Sequence, residues 1–192
     1  GTNEINRMLS VGMLVKKAMK GHVDLLGPAT AVANELMGIP SFDTPDYSEL
    51  FAEEKEMIAK LKKVFLMVAG SAIQKFGTEL DKHQQLLMAA ANILNEVYMA
   101  ESTLLRVEKN TKRFGKDAQE GQIAMAQLYL YNAVEIIIKN GREGIISFSE
   151  GDEQRMLLMG LKRFTKYVNY PNVIGLRTMI AEKLKAENKY CF

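Results

Sequence analysis

Proline placement constrains this chain more than any other feature. Three of the four prolines, Pro28, Pro40 and Pro45, lie between Gly21 and Asp46, and beyond them only Pro171 interrupts the run to Phe192. Proline removes a backbone donor and breaks helix interiors, so everything outside that window is free to be helical. Apolar residues recur there three and four apart. Residues 1–20 read as a helix with Ile5, Leu9 and Met13 four apart and Lys16, Lys17 and Lys20 near its end, stopped by Gly21. A long helix capped by Ser48 or Asp46 carries Phe51, Ile58, Leu61, Phe65, Val68, Ala72, Ile73 and Phe76, with Gly77 just past its end. A second, over 81–113, has Leu86, Leu87, Ala90, Ile93, Leu94, Val97, Tyr98, Leu104 and Leu105 as its stripe and Phe114-Gly115 as its stop. A third, over 117–140, ends at Asn140-Gly141, and a glycine-punctuated stretch leads on to Phe148. A fourth begins near Asp152 and shows Met156, Leu157, Leu161, Phe164 and Tyr167. After the turn at Asn169-Tyr170-Pro171-Asn172, a last helix over 173–188 places Leu176, Ile180 and Leu184 inward.

No strand alternation competes with this pattern. The expected fold is all-α, an antiparallel bundle of about five to six helices preceded by a separate helix. Residues 21–46, with room only for a short helix around 29–37, divide the chain into 1–20, a linker 21–46 and a bundle 47–192.

Bulk properties exclude several functions. With 25 basic and 23 acidic residues the net charge of +2 demands neither nucleic acid nor an acidic partner. The lone cysteine, Cys191, has no partner for an internal disulfide, which fits the cytoplasm or another reducing compartment and speaks against a secreted domain. No stretch approaches the roughly 18 apolar residues of a membrane-spanning helix. Twelve methionines fit adaptable core filling.

The opening octet, Gly1-Thr2-Asn3-Glu4-Ile5-Asn6-Arg7-Met8, resembles the active-site segment of FAD-dependent acyl-CoA dehydrogenases. The continuation for well over a hundred residues further resembles long-form members similar to the very-long-chain type, which append a helical domain. The resemblance implies that Thr2, Asn3 and Glu4 contact FAD, that Gly1 lines the acyl-thioester pocket, and that the glutamate removing the substrate α-proton stands immediately before Gly1. On this reading residues 1–20 close the catalytic domain of a longer enzyme that dehydrogenates fatty acyl-CoA and passes electrons to a partner protein. The chain alone is then expected to be inactive, because a general base must be positioned within hydrogen-bond reach of its proton. FAD binding by the chain alone is not expected either, since most of the flavin and the acyl chain belong to domains outside it. The bundle is left with subunit packing in a homo-oligomer, a peripheral membrane surface or partner docking. The rival reading is an autonomous helical scaffold.

Other constellations have simpler explanations. A carboxylate-bridged metal bundle needs Glu-x-x-His, and neither His22 nor His83 is preceded by glutamate at that spacing. Glu101 and Glu108 lie in or beside an apolar stripe, where ion pairing with Arg106, Lys112 or cations of other helices is the expected role. The stretch from Gly160 to Tyr167 interleaves cations with aromatics; Leu161 and Phe164 are expected inward, and Lys162, Arg163 and Lys166 solvated. From Asp152 onward eight Lys or Arg face four Asp or Glu, a balance suited to an anionic lipid surface and not specific for nucleic acid. Phosphate-binding loops and the Gly-x-Ser-x-Gly nucleophile motif do not occur.

Overall fold

A computed structural model describes residues 2–38 and 46–192. Seven α-helices make up the described chain: α1 (Thr2–Met19), α2 (Leu26–Met37), α3 (Ala52–Phe76), α4 (Gln84–Phe114), α5 (Glu120–Phe148), α6 (Gly151–Phe164) and α7 (Val173–Glu187). Short 3-10 turns over Gly77–Lys82 and Asp117–Gln119 connect α3 to α4 and α4 to α5. No strand occurs among the described residues, so the all-α bundle expected from the sequence is the observed fold.

Helices α3, α4 and α5 form the centre. Lys55 and Lys62 of α3 donate to Glu108 and Glu101 of α4 at 2.8 and 2.6 Å, so the number falls by seven on one helix as it rises by seven on the other. That register makes the pair antiparallel. Between α4 and α5, Asn92 pairs with Asn140 at 2.8 Å and Glu96 with Tyr129 at 3.0 Å, again in opposite senses. Helix α6 packs on α3 and α5, α7 on α5, α1 on α4 and α2 on α3.

One continuous core joins all of these except α7. Leu61, Val64, Val68, Ile93, Ile137 and Ile145 are its fully enclosed centre, and Val11 of α1 and Val32 of α2 belong to the same cluster. Burying an aliphatic side chain of this size contributes roughly 1.5–3 kcal/mol, so such positions supply most of the drive to fold. Helix α2 sits in the middle of the stretch read as a linker, and Glu35 ties it down by pairing with Lys63 at 2.7 Å. Residues 39–45, the remainder of that stretch up to Asp46, lie outside the described residues.

Several sequence expectations shift in detail. Helix α1 turns Val11 into the core with Leu14, Val15 and Ala18 beside it, whereas Ile5, Leu9 and Met13 are 60%, 54% and 48% exposed. The four-residue spacing marked a real apolar face, but the opposite face meets α4. On α4 itself Tyr98 and Leu105 point outward, one position off the buried line through Val97 and Leu104. Ser48 and Asp46 do not cap α3. The Asp46 carboxylate accepts from the Ser48 amide at 2.9 Å in a local turn, and α3 starts after Phe51, whose left-handed backbone swings its ring into the core. Leu184 of α7 remains 43% exposed, and α7 has no fully buried residue.

The largest difference is α5, which continues through Asn140-Gly141 to Phe148. A side chain at Gly141 would meet Leu161 of α6 at 2.9 Å, and one at Gly144 would meet Val68 and Leu86 at 3.3 and 3.4 Å. These glycines admit neighbouring helices, and packing outweighs their cost of about 1 kcal/mol each in a helix interior. Gly21 and Gly115, by contrast, are true stops, where the backbone turns to positive φ of 73° and 88° after α1 and α4.

The α2–α3 crossing gives a direct check. A Cβ on Gly70 would lie 2.8 Å from the Cβ of Ala29, a clash between two groups with no rotamer to yield. Gly70→Ala is expected to push α2 outward and destabilise the fold by about 1–3 kcal/mol. Hydrogen exchange should show the loss of protection concentrated in α2; uniform or absent change would contradict this crossing.

Candidate functional site

The N-terminal turn of α1 leaves its first backbone N–H groups without helical partners, which makes a helix start receptive to polar or anionic atoms. Thr2, Asn3 and Glu4 occupy that turn and all three are exposed. Gly1, the fourth residue of the sequence-derived site, lies outside the described residues.

Asn3 also contributes to a polar groove of about 420 Å³ with Asn6, Arg7 and Ser10 of α1 and Asn95 of α4. Ser10 Oγ donates to the Arg7 carbonyl at 2.8 Å, holding the hydroxyl against its own helix. The groove offers one guanidinium and three side-chain amides, a set that binds phosphate or carbonyl oxygens and has no nucleophile or base of its own. Asn6, Arg7, Ser10 and Asn95 were missed by sequence reasoning. The helical spacing of Asn3, Asn6, Arg7 and Ser10 was the available signal for the first three; Asn95 is brought in only by the docking of α1 on α4.

The apolar face formed by Ile5, Leu9 and Met13 runs down the same helix. Polar turn and apolar stripe thus belong to one helix whose other side is packed on α4.

Other sequence candidates are absorbed by structure. Glu101 pairs with Lys62, and Glu108 pairs with both Lys55 and Lys112 at 2.8 Å. Lys112 is the intrahelical partner expected, whereas Lys55 and Lys62 come from α3 and Arg106 takes no part in these pairs. Arg163 is not solvated as expected. Its guanidinium donates to the Glu35 carbonyl at 3.2 Å and lies 3.6 Å from the Glu35 carboxylate, because α2 covers that side of α6. His83 stacks on Phe76, with ring centroids 3.7 Å apart. Among the described residues no group of three or more His, Cys, Asp or Glu could hold a metal ion, and no helix is long and apolar enough to cross a membrane.

Glu108 carries the clearest electrostatic signature. The ammonium groups of Lys112 and Lys55 hold its carboxyl below the usual carboxylate range. A depressed carboxylate stabilises the fold above its unfolded pKa and loses that contribution as pH falls through the folded value. Urea midpoints between pH 6 and pH 3 should therefore drop less for Glu108→Gln than for the parent chain. Parallel pH profiles would show that the two pairs contribute nothing.

The chain is similar to known proteins along almost its whole length. The family described as "Acyl-CoA dehydrogenase, C-terminal domain" matches residues 60–163. A protein of Bacillus subtilis (strain 168) named "Probable acyl-CoA dehydrogenase" is 33% identical over 190 residues, covering 99% of this chain and 32% of that protein. The crystal structure of an acyl-CoA dehydrogenase from Bacillus anthracis, complexed with FAD, superimposes with a TM-score of 0.92 at 35% identity, over 99% of this chain and 32% of that one. The chain therefore spans about a third of the length of these relatives.

Proposed function

The chain belongs to the acyl-CoA dehydrogenase family, and from that premise we propose that it serves as the C-terminal portion of a longer FAD-dependent enzyme that introduces an α,β double bond into a fatty acyl-CoA. The observation that carries this reading is the near-complete overlay on one third of an FAD-complexed dehydrogenase, with the polar turn of α1 exposed. Family membership also favours it over an autonomous scaffold.

The residues present fit a flavin. The Thr2 hydroxyl, the Asn3 amide and the backbone amides at the start of the helix supply donors for flavin or phosphate oxygens, and Glu4 supplies an acceptor in the same turn. FAD, when bound, accepts the hydride that leaves the substrate. The role of this chain is to bind and orient the polar edge of the cofactor; Gly1 is assigned to the acyl-thioester pocket. The α-proton is taken by a glutamate that the resemblance puts ahead of Gly1, so the 192-residue chain alone is inactive on this reading. Ile5, Leu9 and Met13 then pack against the remainder of the enzyme, which accounts for an apolar stripe beside a cofactor turn.

Flavin retention tests the assignment. The 192-residue chain should show no appreciable thermal shift with micromolar FAD, and a shift of several degrees would contradict it. Joined to the preceding two thirds of the Bacillus subtilis relative, the chain should yield a yellow protein. Asn3→Ala in that chimera should lower bound flavin at least several-fold, as removal of a hydrogen bond to a charged or buried partner does. Unchanged flavin content would remove Asn3 from the site.

A second role is favoured by the surface shared by α2 and α6. Met159 is 72% exposed and lines a groove with Met156, Arg163 and Arg155, the last paired with Asp152 at 2.9 Å, so an exposed methionine stands beside cations. Peripheral contact with an anionic bilayer fits that pairing. Co-sedimentation with phosphatidylserine vesicles at low salt should be lost on Met159→Asp; absence of sedimentation by the parent chain would end this reading.

A further inference from the structure

Far from α1, the start of α3, the middle of α5, the turn after α6 and the first half of α7 enclose a cleft of about 400 Å³. Glu53 and Glu54 lie on its α3 side, adjacent in sequence and both half-buried. Glu53 serves as a clasp. Its carboxylate accepts from the backbone amides of Val168 and Asn169 at 3.0 and 2.7 Å and from the Asn169 side chain at 2.9 Å. Glu54 accepts from Gln127 Nε2 at 2.7 Å. All of these donors are neutral.

Most comparable acids elsewhere are treated differently, the exception being half-buried Glu96, which accepts from the Tyr129 hydroxyl at 3.0 Å. Glu35, Glu56 and Glu108, similarly sheltered, each face a lysine. Neither Glu53 nor Glu54 has an ion-pair partner among the described residues, and no lysine or arginine lines the cleft. Two neighbouring carboxylates in partial burial repel one another, and a cation beside them relieves that repulsion.

A second observation is independent of the acids. Tyr167, in the wall of the cleft, is 5% exposed, and its buried hydroxyl has no hydrogen-bond partner among the described residues. Buried hydroxyls are satisfied in the great majority of proteins, so this hydroxyl retains hydrogen-bonding capacity that no described residue uses. Burial, and then the charges of Glu54 and Glu53, raise its pKa well above the ordinary phenol value, so the group stays a neutral donor and acceptor.

The walls specify the body of the ligand. Tyr170 is 68% exposed and tilts against Tyr167 with centroids 5.3 Å apart, while Leu176 and Met179 add apolar surface from α7. Cations favour aromatic faces, and guanidinium groups also match carboxylate geometry. The start of α7 does not call for an anion, because the Asn172 side chain already accepts from the Gly175 amide at 3.1 Å. A bare metal ion leaves the aromatic and apolar walls without a role.

We propose that this cleft binds an organic cation, an alkylammonium or guanidinium group, with Glu54 as counter-charge, Tyr167 as hydrogen-bond partner and Tyr170 as stacking face. The cation is either a free small molecule or the side chain of a lysine or arginine from a second copy of the chain.

The chain contains no tryptophan, and two of its seven tyrosines, Tyr167 and Tyr170, line the cleft, so tyrosine fluorescence registers binding there, and Tyr170→Ala identifies the part of the signal that comes from the cleft. Agmatine, titrated into the 192-residue chain, should give saturable fluorescence change and heat, and butyrate neither. Glu54→Gln, which keeps an acceptor for Gln127, should weaken agmatine binding at least about tenfold, the usual effect of removing one partner of a charged hydrogen bond. Tyr170→Ala alters an exposed ring and keeps the test available should Glu54→Gln misfold; it should weaken binding about three-fold. Sedimentation separates the sources: a monomer that binds agmatine identifies a free cation, and a dimer dissolved by agmatine identifies a second copy. No saturable binding up to about 10 mM, or binding untouched by either substitution, overturns the proposal.

Discussion

The fold depends on how closely α5 can approach its neighbours. At Gly141 and Gly144 the helix has no side chain, and Leu161 of α6, Val68 of α3 and Leu86 of α4 fill the space that Cβ atoms would take. Three helices thereby converge on one turn of a fourth. Around this point lie Val64, Ile137 and Ile145, all essentially sealed from solvent. The carbonyl of Phe148 at the C-terminal end of α5 accepts from Lys75 of α3, which fixes how the chain leaves the centre and enters α6. Every element that bears on function is hung from this core, α1 through α4, α2 through α3, and α7 through α5.

Much of that arrangement was legible in the sequence. Scarce prolines and stripes such as Leu61, Phe65, Val68 and Ala72 gave the helices and the bundle, because a period near 3.6 has few alternative solutions once proline is absent. Glycine was ambiguous. Gly21 and Gly115 turn the backbone, while Gly141 and Gly144 admit neighbours, and the local pattern is the same for both uses. The facing of α1 was also hidden. Val11 with Leu14, Val15 and Ala18 forms one apolar side, Ile5, Leu9 and Met13 another, and only the position of α4 decides which is covered.

The candidate cofactor turn was legible for a different reason. Thr2, Asn3 and Glu4 are contiguous, so no folding was needed to bring them together. Asn95 and the cleft beside Glu54 required three-dimensional information, since their partners come from residues far apart in the chain. Buried polar atoms without partners among the described residues, such as the Tyr167 hydroxyl, have no sequence signature at all.

Helix α7 has a consequence for the cleft it borders. It buries no residue fully, and the turn leading into it is held by the Glu53 clasp, so its docking rests on half-buried contacts and on that turn. A molecule lodged between α7 and α3 touches both sides of that joint. Thermodynamic reciprocity then requires that whatever occupies the cleft also tightens α7, and that whatever loosens α7 empties the cleft. The C-terminal helix is in this sense a reporter, its fraying a measure of how much of the cleft is filled.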